Sequence, residues 1–312
     1  MSVIRNLSTQ KTKQPSGYME LFMQFSEGRG ITKHTLATYR NALKQLLNNY
    51  EGGLFDARSW KQAIAKTLSG KNEAYYNKQL TAFRHFFAYM MDEYEFKSNP
   101  AMDFKYKRHT HQIVMHSEES IRKLLSAIDR STFSGLRDYC FCLLLLDTGL
   151  RPSEALQLRI ADVNFETNAI RVRKEYAKTR QERYLPASVQ AIHLLKKLVN
   201  VRPEDWREDI PILCTYDGRE LPTRSIRPRF EDYSRQIGQR ITPYHLRHTF
   251  ALYFVRNGGD SFALQRIMGH TKMDMTKLYV NLADSDIGKK HKEASPLKNF
   301  IGNKRIKKLK KI

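Results

Sequence analysis

At roughly 100–200 residues per domain, a chain of 312 residues has room for two domains, each with its own core. Lys and Arg number 54 against 32 Asp and Glu, a net charge of +22 that calls for an anionic partner. A hydrophobic share of 41%, with 16 Phe and 16 Tyr, excludes a disordered basic tail protein.

The N-terminus, MSVIRNLSTQKTKQP, has no apolar signal-peptide core. A short helical segment over 18–25 opens a small bundle. In ITKHTLATYRNALKQLLNNY, Leu36, Tyr39, Leu43, Leu46, Leu47 and Tyr50 recur at three- and four-residue steps, and Gly52 and Gly53 stop the helix. A further helix is expected over 57–68. A long one over 72–94 carries Tyr76, Leu80, Phe83, Phe87 and Met90 on one stripe and closes at Lys97-Ser98-Asn99-Pro100. Lys33, His34, Arg40, Lys44, Lys78 and Arg84 fall between the apolar positions, as either a solvated face or a phosphate-facing surface.

The stretch FKYKRHTHQIVM at 104–115 is basic and unpatterned, and Ser117 with Glu118 and Glu119 starts the next helix. It reads as an interdomain linker. Its Lys105, Lys107, Arg108, His109 and His111 suit either a nucleic-acid backbone or an ordinary exposed connection. A buried helix over 134–148 then runs into a Gly-Leu-Arg-Pro corner that restarts a short helix at Pro152. AIRVR at 169–173 and RYLP at 183–186 form a hairpin around the polar stretch 174–182. Helices resume over 188–200, 224–238, 243–257, 261–268 and 273–282.

The last segment, 288–312, holds nine Lys and one Arg against one Glu, so +9 of the charge lies there and +13 remains in the body. The body too is built to sit beside negative charge, most simply nucleic-acid phosphate. Membrane lipid is the competing anion, but the longest strongly apolar run, 140–146, is too short to span a bilayer. A soluble, cytoplasmic protein is expected. Cys140, Cys142 and Cys214 have no metal-ligand spacing and read as small buried hydrophobes. No GxxxxGK[ST], HExxH or acidic calcium loop occurs, so no metal site and no cofactor are expected.

Five pieces of the second half occur in a telling order: TGLRPSEALQL at 148–158, KTRQERYLP at 178–186, YHLRHTFA at 244–251, MGH at 268–270, and Tyr279 nine residues beyond His270. Together they resemble the tyrosine recombinase, or phage integrase, family, and the helical first domain and basic linker extend the resemblance over essentially the whole chain. The resemblance implies a mainly α fold with a small antiparallel β-sheet. A helical core-binding domain (1–103), a basic linker (104–115), an α+β catalytic domain (116–287) and a basic C-terminal tail (288–312) would follow one another.

The implied activity is that of a site-specific DNA recombinase of the integrase or transposase type. It cuts and rejoins DNA through a 3′-phosphotyrosyl intermediate without metal or ATP. Arg151 and Arg247 match the family's two arginines, which neutralise charge on the phosphate; guanidinium suits this because it stays protonated and donates bidentately. Tyr279 matches the nucleophile, with its ring partly packed and its hydroxyl free on a helix whose apolar stripe is Met275, Leu278 and Leu282. Lys178 matches the lysine that protonates the leaving 5′-oxygen, with Lys174, Arg180 and Arg183 as alternative donors or phosphate contacts. His270 matches a phosphate-binding position, and Glu154 an acid that holds a basic side chain. One position departs from the pattern: the family's His-x-x-Arg places a His where this chain has Tyr244, whose phenol, with an ordinary pKa of about 10, is a poor base.

The resemblance further implies double-stranded DNA as partner and a homo-tetramer on two DNA sites, monomeric or dimeric when free and associated with the nucleoid. Leu282 to Lys292 and Ser295 to Phe300 would pack on a neighbouring protomer, and a need for accessory proteins stays open. Lys33, Arg40, Lys44, Lys78, Arg84, Lys105, Lys107, Arg108 and Arg180 are the candidate DNA contacts. Two alternatives stand beside the recombinase: a silent DNA-binding regulator on the same scaffold, which Tyr244 and the basic tail favour, and a type IB topoisomerase-like enzyme.

Overall fold

The computed structural model describes residues 14–94, 96–108 and 113–283, together with His291, Ser295 and Pro296. Apart from those three, the basic tail at 288–312 lies outside the described residues, as do His109 and His111 and most of the two segments expected to pack on a neighbour. The chain divides into two compact units, Met1–Gln112 and Ile113–Ile312.

The first unit is a bundle of α1 (Pro15–Gly28), α2 (Lys33–Asn48), α3 (Ala57–Leu68) and α4 (Glu73–Glu93), followed by a 3-10 turn at Pro100–Asp103. Thr32, Asp56 and Asn72 accept backbone N–H bonds at the starts of α2, α3 and α4, supplying partners that a helix's first turn lacks. The apolar stripes read from the sequence meet in the middle, with Leu43, Leu46, Trp60, Leu80, Phe83, Phe87 and Met90 buried. Trp60 stacks on Tyr50 at 3.5 Å and meets Phe87 edge-on at 5.1 Å.

The start of the stretch expected to be linker is held against this unit. Arg84 donates to the carbonyls of Ala101 (3.3 Å) and Phe104 (2.6 Å), and its guanidinium lies 4.4 Å from the centre of the Tyr106 ring. Asn77 bonds both the N–H and the C=O of Lys107, each at 2.8 Å, and the Lys107 ammonium lies over Tyr76. Two aromatic residues and a matched amide thus strap residues 104–107 along α4. Arg84 has a structural function here, and Arg40 is paired with Glu20 at 2.5 Å. Lys33, Lys44, Lys78, Lys105, Lys107 and Arg108 are exposed.

The second unit runs α5 (Glu118–Ala127), α6 (Phe133–Thr148), α7 (Pro152–Ala155), a 3-10 turn (Ile160–Asp162), β1 (Val163–Asn164), β2 (Ala169–Val172) and β3 (Arg183–Pro186). It continues with α8 (Val189–Asn200), α9 (Thr223–Ile237), α10 (Pro243–Arg256), α11 (Ser261–Met268) and α12 (Asp274–Ala283). The sheet is antiparallel in the order β1-β2-β3, with Ile170 opposite Leu185 and Val172 opposite Arg183. β1 is only two residues long, too short for alternation to show in the sequence. α6 is central and packs against α8 and α10. Its Cys140, Phe141, Cys142, Leu144 and Leu145 are buried, and so the segment reads as continuously apolar.

α12 faces the core through a different stripe from the one expected. Thr276 and Tyr279 are buried, whereas Met275, Leu278 and Leu282 are 49%, 40% and 46% exposed. Its buried hydroxyls are tolerated because each meets a histidine, as described below, so polarity did not mark the outer face. No helix among the described residues is long and apolar enough to cross a membrane.

Candidate active site

The site forms where the ends of α6, α10, α11 and β3 come together. α6 stops at Gly149, whose φ of +61° is left-handed, and whose missing Cβ would otherwise fall 2.3 Å from the Phe250 ring. This turn delivers Arg151 to the start of α7. There Glu154 accepts from the Arg151 backbone N–H (2.9 Å) and from its guanidinium (2.9 Å). The same carboxylate accepts two bonds from Arg183 of β3, at 3.1 and 2.6 Å. The Glu154 side chain is 1% exposed; although burial pushes its pKa up, the two arginines hold it below the ordinary carboxylate value.

Arg247, on α10, is 4% exposed. It donates to the carbonyls of Gly149 and of Met268 (2.8 Å) and faces Nε2 of His270 at 3.4 Å. Burial, then the nearby Arg151, pushes its pKa down to about 10, so it remains charged near neutral pH. Arg151 donates to the Gly269 carbonyl at 2.9 Å, while Arg183 donates to Ile267 at 3.1 Å. Three guanidiniums are therefore tied to the C-terminal end of α11 or its capping Gly269, and one carboxylate, bonded to two of them, is their counter-charge. Among the described residues this leaves two positive charges uncompensated.

His270 follows Gly269, whose φ of +60° turns the chain back. Its Nδ1 lies 2.9 Å from the Thr276 hydroxyl, and its ring stacks on Tyr279 at 6.3 Å. Tyr279 is 4% exposed, packed in a cluster with Phe250, Val255, Leu264 and Met268. Its hydroxyl is not free: it lies 2.6 Å from Nδ1 of His248. Burial raises the Tyr279 pKa, against which Arg247 acts.

Lys178 is exposed in the β2–β3 connection and makes no hydrogen bond or ion pair among the described residues. The residues beyond it, Thr179, Gln181 and Arg183, line a cavity of about 730 Å³ together with Gly269, His270 and Thr271. Arg180 is exposed with a φ of +53°, while Arg183 donates from Nε to the Ile267 carbonyl and from both terminal nitrogens to Glu154. Tyr244 is 52% exposed and makes no hydrogen bond among the described residues. His245 is turned to His116, 2.7 Å between Nδ1 and Nε2.

Sequence reading thus brings Arg151, Arg247, His270 and Tyr279 into one cluster and misses His248, Arg183 as a partner of Glu154, and Thr276. The signal for His248 was present: it lies one turn beyond Tyr244 in YHLRHTFA, on the same helical face.

His245 and His270 are each pushed down to about 4 from an ordinary 6.5, His245 by burial and His116, His270 by burial and Arg247. Both are neutral in the folded protein, whereas the unfolded chain takes up protons below 6.5. The stability they support is complete above that pH and is lost as pH falls towards 4. The midpoint of urea unfolding is expected to drop across this window; a constant midpoint contradicts it.

Buried guanidiniums in excess over carboxylate, a histidine between them and a tyrosine hydroxyl in the same cluster form a site for a phosphodiester and for covalent attack on it. The sequence profile of the phage integrase family matches residues 115–286. The tyrosine recombinase XerC of Thermodesulfovibrio yellowstonii is 27% identical over 268 residues, covering 81% of this chain and 87% of that protein. XerA of Pyrococcus furiosus, also a tyrosine recombinase, is 27% identical over 294 residues, covering 92% and 97%. Among solved structures, the Tn1549 transposon integrase in complex with circular intermediate DNA superposes with a TM-score of 0.67 at 21% identity, covering 84% of this chain and 94% of that one. A lambda integrase dimer bound to a core site gives 0.71 at 16%, covering 87% and 78%; these likenesses are of fold.

The chain belongs to the phage integrase family. It is a tyrosine-type, site-specific DNA recombinase, the first of the expected readings.

Proposed function

We propose that Arg151 and Arg247 clamp the non-bridging oxygens of the scissile phosphate, with His270 as a further donor, and that Tyr279 attacks the phosphorus. The observation that carries this is the surplus of two positive charges in a buried cluster that also contains the Tyr279 ring. A phosphodiester supplies the missing anion, and guanidiniums already fixed by Glu154, Gly149 and Met268 need little reorganisation as charge builds in the transition state. Attack forms the bond from Tyr279 to phosphorus and breaks the bond to O5′, leaving a 3′-phosphotyrosyl enzyme and a 5′-hydroxyl. Lys178, exposed in the β2–β3 connection next to the cavity-lining Thr179, gives the leaving oxygen its proton. The phosphate ester bond is conserved, so the reverse attack by another strand's 5′-hydroxyl rejoins DNA.

The first unit acts as the core-binding domain, using exposed Lys33, Lys44 and Lys78, with Lys105, Lys107, Arg108 and Arg180 as further phosphate contacts that position but do not specify. Residues 288–312 add tail charge. Four protomers on two duplexes, assembled in the cytoplasm at the nucleoid, complete the exchange.

The test begins with duplexes selected for binding from a randomised pool and nicked beside the bound half-site, so that the cleaved 5′ end diffuses away. A covalent protein–DNA complex is expected, with the nucleotide mapped by mass to the peptide that begins after Lys277 and contains Tyr279. Binding without any adduct, or an adduct on another peptide, overturns the assignment.

A further inference from the structure

We propose that His248, and not position 244, takes the proton from the Tyr279 hydroxyl as it attacks. This rests on the reading of Tyr279 as nucleophile. Two imidazoles, His248 and His270, lie against Tyr279, a third, His245, precedes them on α10, and their contacts separate them. His245 shares its Nδ1 with His116. Nδ1 of His270 is engaged with Thr276 and its Nε2 faces Arg247 at 3.4 Å, on the side where the phosphate is placed, and neither bonds the Tyr279 hydroxyl. Only His248 directs a nitrogen at the nucleophile, 2.6 Å from its oxygen. Tyr244, where the His of the family pattern is missing, is half exposed and its phenol is a weak base. Positions 244 and 248 lie one helical turn apart, about 40° around α10. A proton acceptor absent at the first is thus present at the second, one turn further along the face that carries Arg247.

The step balances without another reactant. The Tyr279 O–H bond breaks and its proton passes to Nδ1 of His248, giving an imidazolium; the phenolate pair forms the bond to phosphorus; the bond to O5′ breaks, and that oxygen is protonated by Lys178. In rejoining, the imidazolium returns its proton to the departing Tyr279 oxygen. Burial, and then Arg247, keep His248 below its ordinary pKa, so its nitrogen is free to accept near neutral pH.

The test uses the full chain and the nicked duplexes described above, with wild type forming the adduct and Tyr279→Phe forming none. Should wild type fail there, the reading of Tyr279 fails and not this one. Given that adduct, His248→Ala is expected to slow its formation by about 10²–10⁴-fold, the usual range for a positioned general base, with binding of the duplex retained. Added imidazole should restore a substantial part of the rate in proportion to its concentration. His248→Asn, which keeps an acceptor near the Nδ1 position but no basic nitrogen, should stay slow. Three results overturn the proposal: His248→Ala within threefold of wild type; a faster His248→Ala, which would make the contact a restraint on the tyrosine; or full activity in His248→Asn, which would reduce His248 to positioning.

Discussion

Glu154→Ala is expected to destabilise the second unit by about 3–5 kcal/mol and to abolish adduct formation. Glu154 is buried, and it is the single carboxylate bonded to both Arg151 and Arg183, which are themselves about nine-tenths buried. Removing it strands two guanidiniums that have lost most of their water, and the remaining neighbour, Arg247, is a third positive charge. Arg151 would also lose the acceptor for its backbone N–H, which holds the start of α7. An exposed ion pair would cost only about 0–1 kcal/mol to break, so the magnitude discriminates between a cluster held by its carboxylate and one held by packing alone. The measurement is urea unfolding followed by Trp206, the only tryptophan of this unit, in a Trp60→Phe background. A loss below about 1 kcal/mol would show that the carboxylate is dispensable to the fold. Glu154→Gln should fall between, since an amide oxygen can still accept one of the arginine bonds.

The helices were legible in the sequence because their signals are local. Asp56 and Asn72 announce where α3 and α4 begin, and Gly149 and Gly269 announce sharp ends that place Arg151 and His270. The order and spacing of Arg151, Arg247, His270 and Tyr279 carried the site. Pairings across large separations were not legible: nothing local links Glu154 to Arg183, 29 positions on, or His248 to Tyr279, 31 positions on. The orientation of α12 failed for a physical reason. Hydrophobicity alone favours burying Met275, Leu278 and Leu282, but Thr276 and Tyr279 go inward because His270 and His248 satisfy their hydroxyls. A similar reason applies to 104–107, where polarity suggested a free linker and aromatic contacts with α4 hold it instead.

Arg247→Lys is expected to reduce the rate of adduct formation by about 10²–10³-fold while leaving duplex binding within a few-fold of wild type. Charge is preserved, so the loss measures geometry. The guanidinium is planar and already divides its donors between the Gly149 and Met268 carbonyls, with its His270 edge turned towards the cluster. A lysine has one ammonium on a flexible stem and cannot serve two carbonyls from α6 and α11 and still meet a phosphate oxygen at a fixed angle. One buried carbonyl would be left without a donor, lowering stability by about 1–3 kcal/mol. Binding survives because most of the attraction to DNA comes from many exposed basic side chains of a +22 chain, of which this buried one is a small part. A substitution that weakened binding and chemistry equally would instead place Arg247 among the general phosphate contacts, and would move the transition-state role to Arg151 alone.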